Sequence, residues 1–226
     1  MFMKNFSVEA DMERVRKLYK YEAEAGERGF NIIAGVDEAG RGSLIGSLMI
    51  AAVILPENLY LERLDDSKKL SAKVREKLYD KIISEAISWN VVAVEQEEID
   101  TLNIYQATIE GMKRAVAGLD VQPELVLIDA MKIRFGENIR SRSIIHGDRL
   151  SASIAAASII AKVTRDRLTD EWALQYPEYG FERNRGYCTK EHLDAIEKYG
   201  PCPIHRRTFN PVKTLLKKIK ISEENS

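Results

Sequence analysis

The chain has almost nothing from which a soft-metal or disulfide site is built: two cysteines and three histidines among 226 residues. Cys188 and Cys202 show no CxxC spacing and no secretory context. That excludes a disulfide framework and a zinc cluster, and it predicts reduced thiols. Any metal bound here is expected to be a hard, oxygen-liganded ion. Long apolar runs are missing too. The longest, residues 48–55, is far too short to cross a bilayer. The opening Met1-Phe2-Met3-Lys4-Asn5 turns polar without the apolar centre of a secretion signal, so the expected setting is cytoplasmic, with no membrane partner. Nor is one sign of charge in excess, the formal net charge being −1 at pH 7. That balance hides an asymmetry. Residues 181–220 hold ten Lys or Arg against four Asp or Glu, which leaves the remainder acidic. On charge alone, a solvated basic segment accounts for it.

What is present is an alternation of strands and helices, in a length that suits one domain with a sizeable core. Ser7 is placed to cap a helix over residues 8 to about 26, with Met12, Val15, Leu18 and Tyr19 at helical spacing. Residues 32–37 and 47–55 read as strands joined by a glycine-rich turn too short for anything but an antiparallel pair. Ser71 opens a helix in which Val74, Leu78, Ile82 and Ala86 recur every four residues. A third strand over 90–94, a helix over 104–119, and strands over 125–129 and 143–146 follow. Residues 151–176 form a long helix whose first half is nearly all small side chains, so it must pack closely against something. Pro177 ends it, and a short helix over 190–199, a Pro-rich turn and the basic tail remain. The expected architecture is one α/β domain with a mixed five-stranded sheet flanked by helices, then a C-terminal helical extension.

Asp37 and Glu38 close the apolar run Ile32-Ile33-Ala34-Gly35-Val36 and lead straight into Gly40-Arg41-Gly42. Two like charges at a strand end cost free energy unless a cation or a proton neutralises them. A flexible, basic Gly-Arg-Gly lets a polyanion approach the backbone closely. Asp129 ends the fourth strand, and Asp148 follows the fifth through Ile144-Ile145-His146-Gly147. Single acids at strand ends usually serve as turn residues or caps. Three strand ends plus Glu38 favour a shared site, since ligands of α/β sheets gather at strand ends. Four carboxylates without Cys or His suit Mg²⁺ or Mn²⁺, and two such ions about 3.5–4 Å apart can clamp the attacking and leaving oxygens of a phosphodiester. No Ser or Cys nucleophile stands out, and that chemistry needs none. His146 and His192 read as structural or exposed. Ser158 and Lys162, four apart on one helical face after Asp148, are candidates to hydrogen-bond the acids.

Asp37-Glu38-Ala39-Gly40-Arg41-Gly42 resembles the signature of the type 2 ribonucleases H, specifically bacterial ribonuclease HII. So, in the same order, do Asp66-Ser67-Lys68-Lys69-Leu70-Ser71, Leu127-Ile128-Asp129-Ala130-Met131-Lys132, and Gly147-Asp148 with the run from Ser153 to Val163. Asn184-Arg185-Gly186-Tyr187 with Thr189-Lys190-Glu191-His192, and His205-Arg206-Arg207 with Phe209, complete a series covering nearly the whole chain. The resemblance implies a ribonuclease H-like catalytic domain over 30–177. An N-terminal helix within 1–29 would pack on it, and a substrate-binding extension and basic tail would span 178–226. It implies an endonuclease, expected to be monomeric, that hydrolyses RNA in RNA–DNA hybrids and incises 5′ of single ribonucleotides in duplex DNA. Two Mg²⁺ or Mn²⁺ ions would serve it, and the products would carry 5′-phosphate and 3′-hydroxyl ends. Asp37, Glu38 and Asp129 match the principal metal ligands, with Asp148 supporting the second metal. Gly40, Arg41 and Gly42 match the loop whose backbone reads 2′-hydroxyls, and Tyr187 matches the tyrosine that recognises the ribonucleotide at a junction.

Other residues stay open to two readings. Lys68 and Lys69 alone read as a solvated pair; with the resemblance, at least one becomes a phosphate contact. Arg206 and Arg207 either grip the hybrid backbone or pair with acids on the sheet. Ser43 and Ser47 stand where the family commonly has proline, which predicts a less rigid loop. Cys188 stands where glycine or proline is usual, beside Tyr187. Two alternatives accompany the leading one. The first is a non-catalytic hybrid-binding module, disfavoured by the intact acid set. The second is the sister ribonuclease HIII, disfavoured by the Ala39-Gly40-Arg41-Gly42 form.

Overall fold

The layering of the molecule follows from which apolar runs are buried on both faces. The computed structural model describes residues 7–224; residues 1–6 and 225–226, the outer ends of the first and last expected segments, lie outside the described residues. In chain order come helices α1 (Val8–Leu18) and α2 (Lys20–Gly26), strands β1 (Ile33–Ala39) and β2 (Leu48–Ile54), helix α3 (Ala72–Glu85) and strand β3 (Ser88–Val94). Helices α4 (Gln96–Leu102) and α5 (Ile104–Ala117), strands β4 (Leu125–Asp129) and β5 (Arg140–Ile144) and the long helix α6 (Ala152–Gln175) follow. Short α7 (Phe181–Asn184), α8 (Lys190–Tyr199) and α9 (Val212–Glu224) complete the chain. The sheet order is β3-β2-β1-β4-β5. β2 runs antiparallel to β1 and β3, and β4 runs parallel to β1 and β5. This is the expected mixed five-stranded sheet.

Every residue of β2 is buried. Ala51 and Val53 face a cluster with Leu78 and Ile82 of α3 and Ala156 and Ile160 of α6. Ile50, Ala52 and Ile54 face Ala107, Met112 and Ala115 of α5 on the other side. The two-residue period of the strand thus feeds two cores at once. The small residues opening α6 have a direct cause. A Cβ at Gly35 of β1 would lie 2.1 Å from the Ser153 carbonyl carbon and 2.2 Å from the Ile154 nitrogen, so helix and strand meet backbone to backbone. The α6 N-terminus is doubly capped. Ser151 Oγ accepts the Ile154 N–H at 3.2 Å. Glu22 Oε1, from α2, accepts the Ser151 hydroxyl at 2.6 Å, the Ser153 N–H at 2.9 Å and the Ser153 hydroxyl at 2.8 Å. A carboxylate suits this end of a helix dipole.

Two expectations shift. The helix expected over 8–26 is broken at Tyr19, whose buried ring sends its hydroxyl to the Leu59 carbonyl at 3.0 Å. The second piece is the one that carries Glu22. The fifth strand lies at Arg140–Ile144 rather than 143–146. It is an edge strand with a polar start, Arg142 pairing with Glu24 at 2.9 Å, and the left-handed His146 (φ 59°) turns the chain just beyond it. The apolar Ile144-Ile145 pair therefore marks the end of the strand and not its middle. The C-terminal segment does not stand apart: Phe181, Ala195, Ile196 and Val212 form one cluster with Leu44 and Ile45 and with Trp172 of α6. Among the described residues no helix is long and apolar enough to cross a membrane.

Gly35→Ala is expected to destabilise the fold by about 3 kcal/mol or more, because backbone on both sides has to move. Urea unfolding followed by circular dichroism measures this, and a loss below about 1 kcal/mol would show that α6 yields easily.

Candidate active site

β1 runs past its expected end to Ala39, so Asp37 and Glu38 lie within the strand, opposite Ala51 and Ile50 of β2. On its other side β1 pairs with β4 only as far as Val36 opposite Ile128. The two parallel strands part where Asp37 and Asp129 stand, and this opens a notch at the sheet end. After β5 a single 3-10 turn, Gly147–Arg149, brings in Asp148. That turn is anchored by the Gly147 N–H, which donates to Asp129 Oδ1 at 2.7 Å. All four sequence-predicted acids are therefore gathered in one place.

Burial and neighbouring negative charge show in the proton affinities of Asp37, Glu38 and Asp148. Burial, then the negative charges of Glu38 and Asp129, and lastly Asp148, hold Asp37 well above the usual carboxylate range. Its one opposing hydrogen bond comes from the Glu38 N–H at 2.8 Å. Burial also raises Glu38, opposed by Arg41, whose Nη1 lies 3.5 Å from Oε1. Asp148 is raised by burial, then by Asp129 and Asp66, against Lys68 at 4.0 Å and Arg149. Acids that raise one another in this way are poised to take up positive charge. The donor set is oxygen only, which fits a hard divalent cation. Among the described residues no group of three or more His, Cys, Asp or Glu side chains is arranged to hold a metal ion. Oxygens of Asp37 and Asp129 are instead turned to the N–H groups of Glu38 and Gly147.

Beside the acids, the loop after Ala39 rests on two buried guanidinium groups. Gly40 has φ +88°, and a Cβ there would fall 2.5 Å from Arg165 Nε. Arg165 donates to Thr169 Oγ1 at 2.6 Å and to Ser43 Oγ and the Ile45 carbonyl, both at 3.0 Å. Arg206 donates to the carbonyls of Gly46 at 2.9 Å and Arg41 at 3.0 Å. Burial pushes these groups down to about 10 and about 9, so both stay charged at neutral pH. At Ser43 and Ser47, where a looser loop was expected, both hydroxyls are engaged. Ser43 Oγ lies 3.2 Å from the carbonyls of both Ile45 and Gly186, and Ser47 donates to Glu95 Oε2 at 2.7 Å. The Tyr187 ring is 44% exposed, with Cε1 3.9 Å from where a Cβ on Gly42 would sit. Both cysteines are free.

Several expected site residues sit elsewhere. Arg206 is fully buried beneath the loop and presents nothing to a phosphate, nor does it pair with an acid on the sheet. Its long side chain is consumed by two carbonyls. Lys69 pairs with Asp65 at 2.9 Å, which leaves Lys68 as the lysine at the acids. Arg207 is exposed, its backbone N–H held by Asp100 at 2.8 Å. Ser158 meets Ser67 Oγ at 2.7 Å, and Lys162 pairs with Asp166, so neither reaches the acids. His192 is buried and His146 exposed.

The family model described as Ribonuclease HII matches residues 34–212. The chain belongs to the ribonuclease HII family. It is 51% identical over 210 residues to the ribonuclease HII of Bacillus licheniformis, covering 93% of this chain and 82% of that protein. The solved ribonuclease H2 of Pyrococcus horikoshii superposes with a TM-score of 0.72 at 29% identity, over 84% of this chain and 99% of that one. Bst ribonuclease HIII in complex with Mn²⁺ shares the fold, with a TM-score of 0.61 at 17% identity, over 84% of this chain and 70% of that one. Ribonucleases HII are ribonuclease H hydrolases that cut RNA within RNA–DNA hybrids. Three residues of this member's site went unassigned at the level of sequence. Asp66 is fully buried and accepts from the Lys68 N–H at 2.9 Å and from Arg149 Nε at 3.1 Å, orienting both cations that face Asp148. Arg149 is the second of these. The third, Arg165, follows Ala157 and Ala161 along the buried stripe of α6. A charge continuing a stripe of small core residues was the signal available.

An acid with a raised folded-state pKa holds its proton more tightly when folded. Its contribution favours folding below the unfolded pKa, about 4, and is lost as pH rises through the raised value. Metal-free protein is therefore expected to lose stability between about pH 5 and pH 8. Asp37→Asn should recover about 1 kcal/mol or more of it at the higher pH, since an uncompensated buried charge is removed. Urea titrations in EDTA at both pH values check this. Equal losses in the parent and the variant would show that Asp37 carries no excess repulsion.

Proposed function

We propose that this enzyme incises 5′ of single ribonucleotides in duplex DNA as well as cutting RNA stretches in hybrids, by two-metal-ion catalysis that leaves 5′-phosphate and 3′-hydroxyl ends. The observation that carries the reading is the notch itself. Four carboxylates, three of them with raised proton affinity, adjoin a glycine loop against which the Tyr187 ring stands. Asp37, Glu38 and Asp129 are the residues proposed to hold Mg²⁺ or Mn²⁺, with Asp148 supporting the second ion. The solved Bst ribonuclease HIII is in complex with Mn²⁺, and the donor chemistry here suits the same class of ion. Bound divalent ions supply positive charge to the attacking water and to the leaving 3′ oxygen.

The remaining work falls to the chain's own groups. Gly42 is exposed and leaves the backbone uncovered, so a ribose can come within hydrogen-bonding reach there, while the buried Gly40 lets the loop pass over Arg165; the 2′-hydroxyl is what separates RNA from DNA. Arg41, held by Glu38 and 3.6 Å from Met131 Sδ, and Lys68, beside Asp148, are proposed to meet phosphates flanking the cleaved bond. Tyr187 is proposed to pack against the sugar of the ribonucleotide at the junction. Within this reading residues 30–177 form the catalytic body and 178–226 the substrate-binding extension of a monomer acting in the cytoplasm.

Asp37→Asn and Asp129→Asn are each expected to lower cleavage by roughly 10³-fold or more in Mg²⁺ and in Mn²⁺, while hybrid binding in EDTA is retained, because the lost charge serves the transition state. Cleavage assays and gel shifts on the same samples measure both. Full activity of either variant would overturn the assignment, and a parent protein that binds hybrid without cutting it would favour the binding-module reading. For Tyr187→Ala, cleavage at a lone ribonucleotide should fall roughly 10-fold or more, with a smaller loss on a long hybrid, as expected for a positioning contact.

A further inference from the structure

The C-terminal segment holds two buried imidazoles for which the hydrolytic chemistry has no use. His192 Nε2 and His205 Nε2 are 3.1 Å apart, in a box where Phe181 packs edge-on against His192 and Tyr179 lies 5.2 Å from His205, centroid to centroid. Two imidazoles facing each other nitrogen to nitrogen need one protonated and one bare Nε2, and the neighbours decide which. The Cys202 N–H donates to His205 Nδ1 at 3.0 Å. That nitrogen also lies 3.1 Å from Cys202 Sγ and 3.3 Å from the Cys202 carbonyl, so the other end of the pair decides. His192 Nδ1 lies 3.0 Å from the Tyr187 carbonyl, which can only accept, so His192 is protonated on Nδ1 and its bare Nε2 takes the proton that His205 carries on Nε2. The hydrogen bonds run one way: Cys202 N–H to His205, His205 to His192, His192 to Tyr187. Burial lowers the proton affinity of both rings, His205 to about 4, which keeps the pair neutral.

The far end of this chain of bonds is tied to the loop beside the acids. His205 forms a β-bridge with Ile45. The Gly46 N–H donates to the Ile204 carbonyl at 2.7 Å and the Arg206 N–H to the Leu44 carbonyl at 2.8 Å. Leu44 N–H in turn donates to the Gly186 carbonyl at 2.8 Å. One histidine pair therefore links the main chain at Tyr187 to the main chain just after Gly42, the glycine its ring adjoins. We propose that His192 and His205 are positioning residues that fix the Tyr187 main chain relative to the glycine loop and so set the preference for a lone ribonucleotide over a long hybrid. The proposal rests on the junction-reading role given to Tyr187 above. Space-filling alone would be served by any aromatic ring; only an imidazole accepts at one edge and donates at the other.

The test compares His192→Phe, which fills the space without hydrogen bonds, with His192→Asn, whose amide reproduces the donor at the Nδ1 position, and with Tyr187→Ala. For each, kcat/KM is measured on a duplex with one ribonucleotide and on a long hybrid. His192→Phe is expected to lose roughly 10-fold more on the single ribonucleotide than on the hybrid, with His192→Asn within roughly 3-fold of the parent ratio, as for a displaced positioning contact. Proportional losses on both substrates for His192→Phe, with Tyr187→Ala still selective, would overturn the relay and leave the role of Tyr187 standing. An unselective Tyr187→Ala would overturn that role and the relay with it. Imidazole ¹⁵N–¹H spectra of the unaltered protein give a readout that needs no folded variant. The chain has three histidines, and His146→Gln identifies the exposed one. Protonation of His192 on Nδ1 and His205 on Nε2 is the expected result; either opposite tautomer overturns the proposal.

Discussion

The site depends first on the meeting of α6 and β1 at Gly35, where backbone lies against backbone with no side chain between. This approach places the turn leading into α6, and with it Asp148, at the level where β1 and β4 part. Asp37 and Asp129 occupy the two sides of that parting, and Gly147 bridges to Asp129 through its own N–H. Glu22 secures the arrangement from a third direction by capping the α6 N-terminus. Small side chains along α6 are thus the means by which four acids from three separate segments reach one notch.

The electrostatics are sorted rather than balanced. Carboxylates that would ordinarily be paired face one another in the notch, while two guanidinium groups lie buried beneath the adjoining loop, hydrogen-bonded to hydroxyl and carbonyl oxygens. Arg165 Nε and Arg206 Nη2 are buried without a hydrogen-bond partner. Separated charges of both signs are costly in a protein interior. A divalent cation would offset the carboxylates' share of that cost, while the guanidinium groups, enclosed beneath the loop, hold its carbonyls in place. The stability given up among the acids is thus available to a cation that binds there.

Much of this was legible in the sequence, for identifiable reasons. The four acids stood out because each comes just after an apolar run, and strand ends in a parallel pair come together whatever the rest of the chain does. The close packing of α6 was legible from its run of Ala and Ser. The edge strand β5 was misplaced because it draws its stability from pairing with β4 and from Arg142 on Glu24, so its apolar signal lies at one end. Arg206 was open to two readings, a grip on the hybrid backbone or a pair with acids on the sheet, and meets neither, because composition does not show where a charge points. The partners that bury it, the carbonyls of Arg41 and Gly46, are backbone atoms and leave no trace in sequence. The same holds for Ser43, whose hydrogen bonds to Arg165 and Gly186 depend on segments more than a hundred residues away.

The bridge between Ile45 and His205 also orders the assembly of the molecule in time. Every acid of the notch has been synthesised by residue 148, and the strands that present them are complete by Ile144. The loop beside them is different. Its floor includes Arg206, and its flank is paired with Ile204 and Arg206, so it cannot reach its final form until the last part of the chain has left the ribosome. A nascent chain therefore carries the acids of the notch before the loop beside them has the partners that hold it.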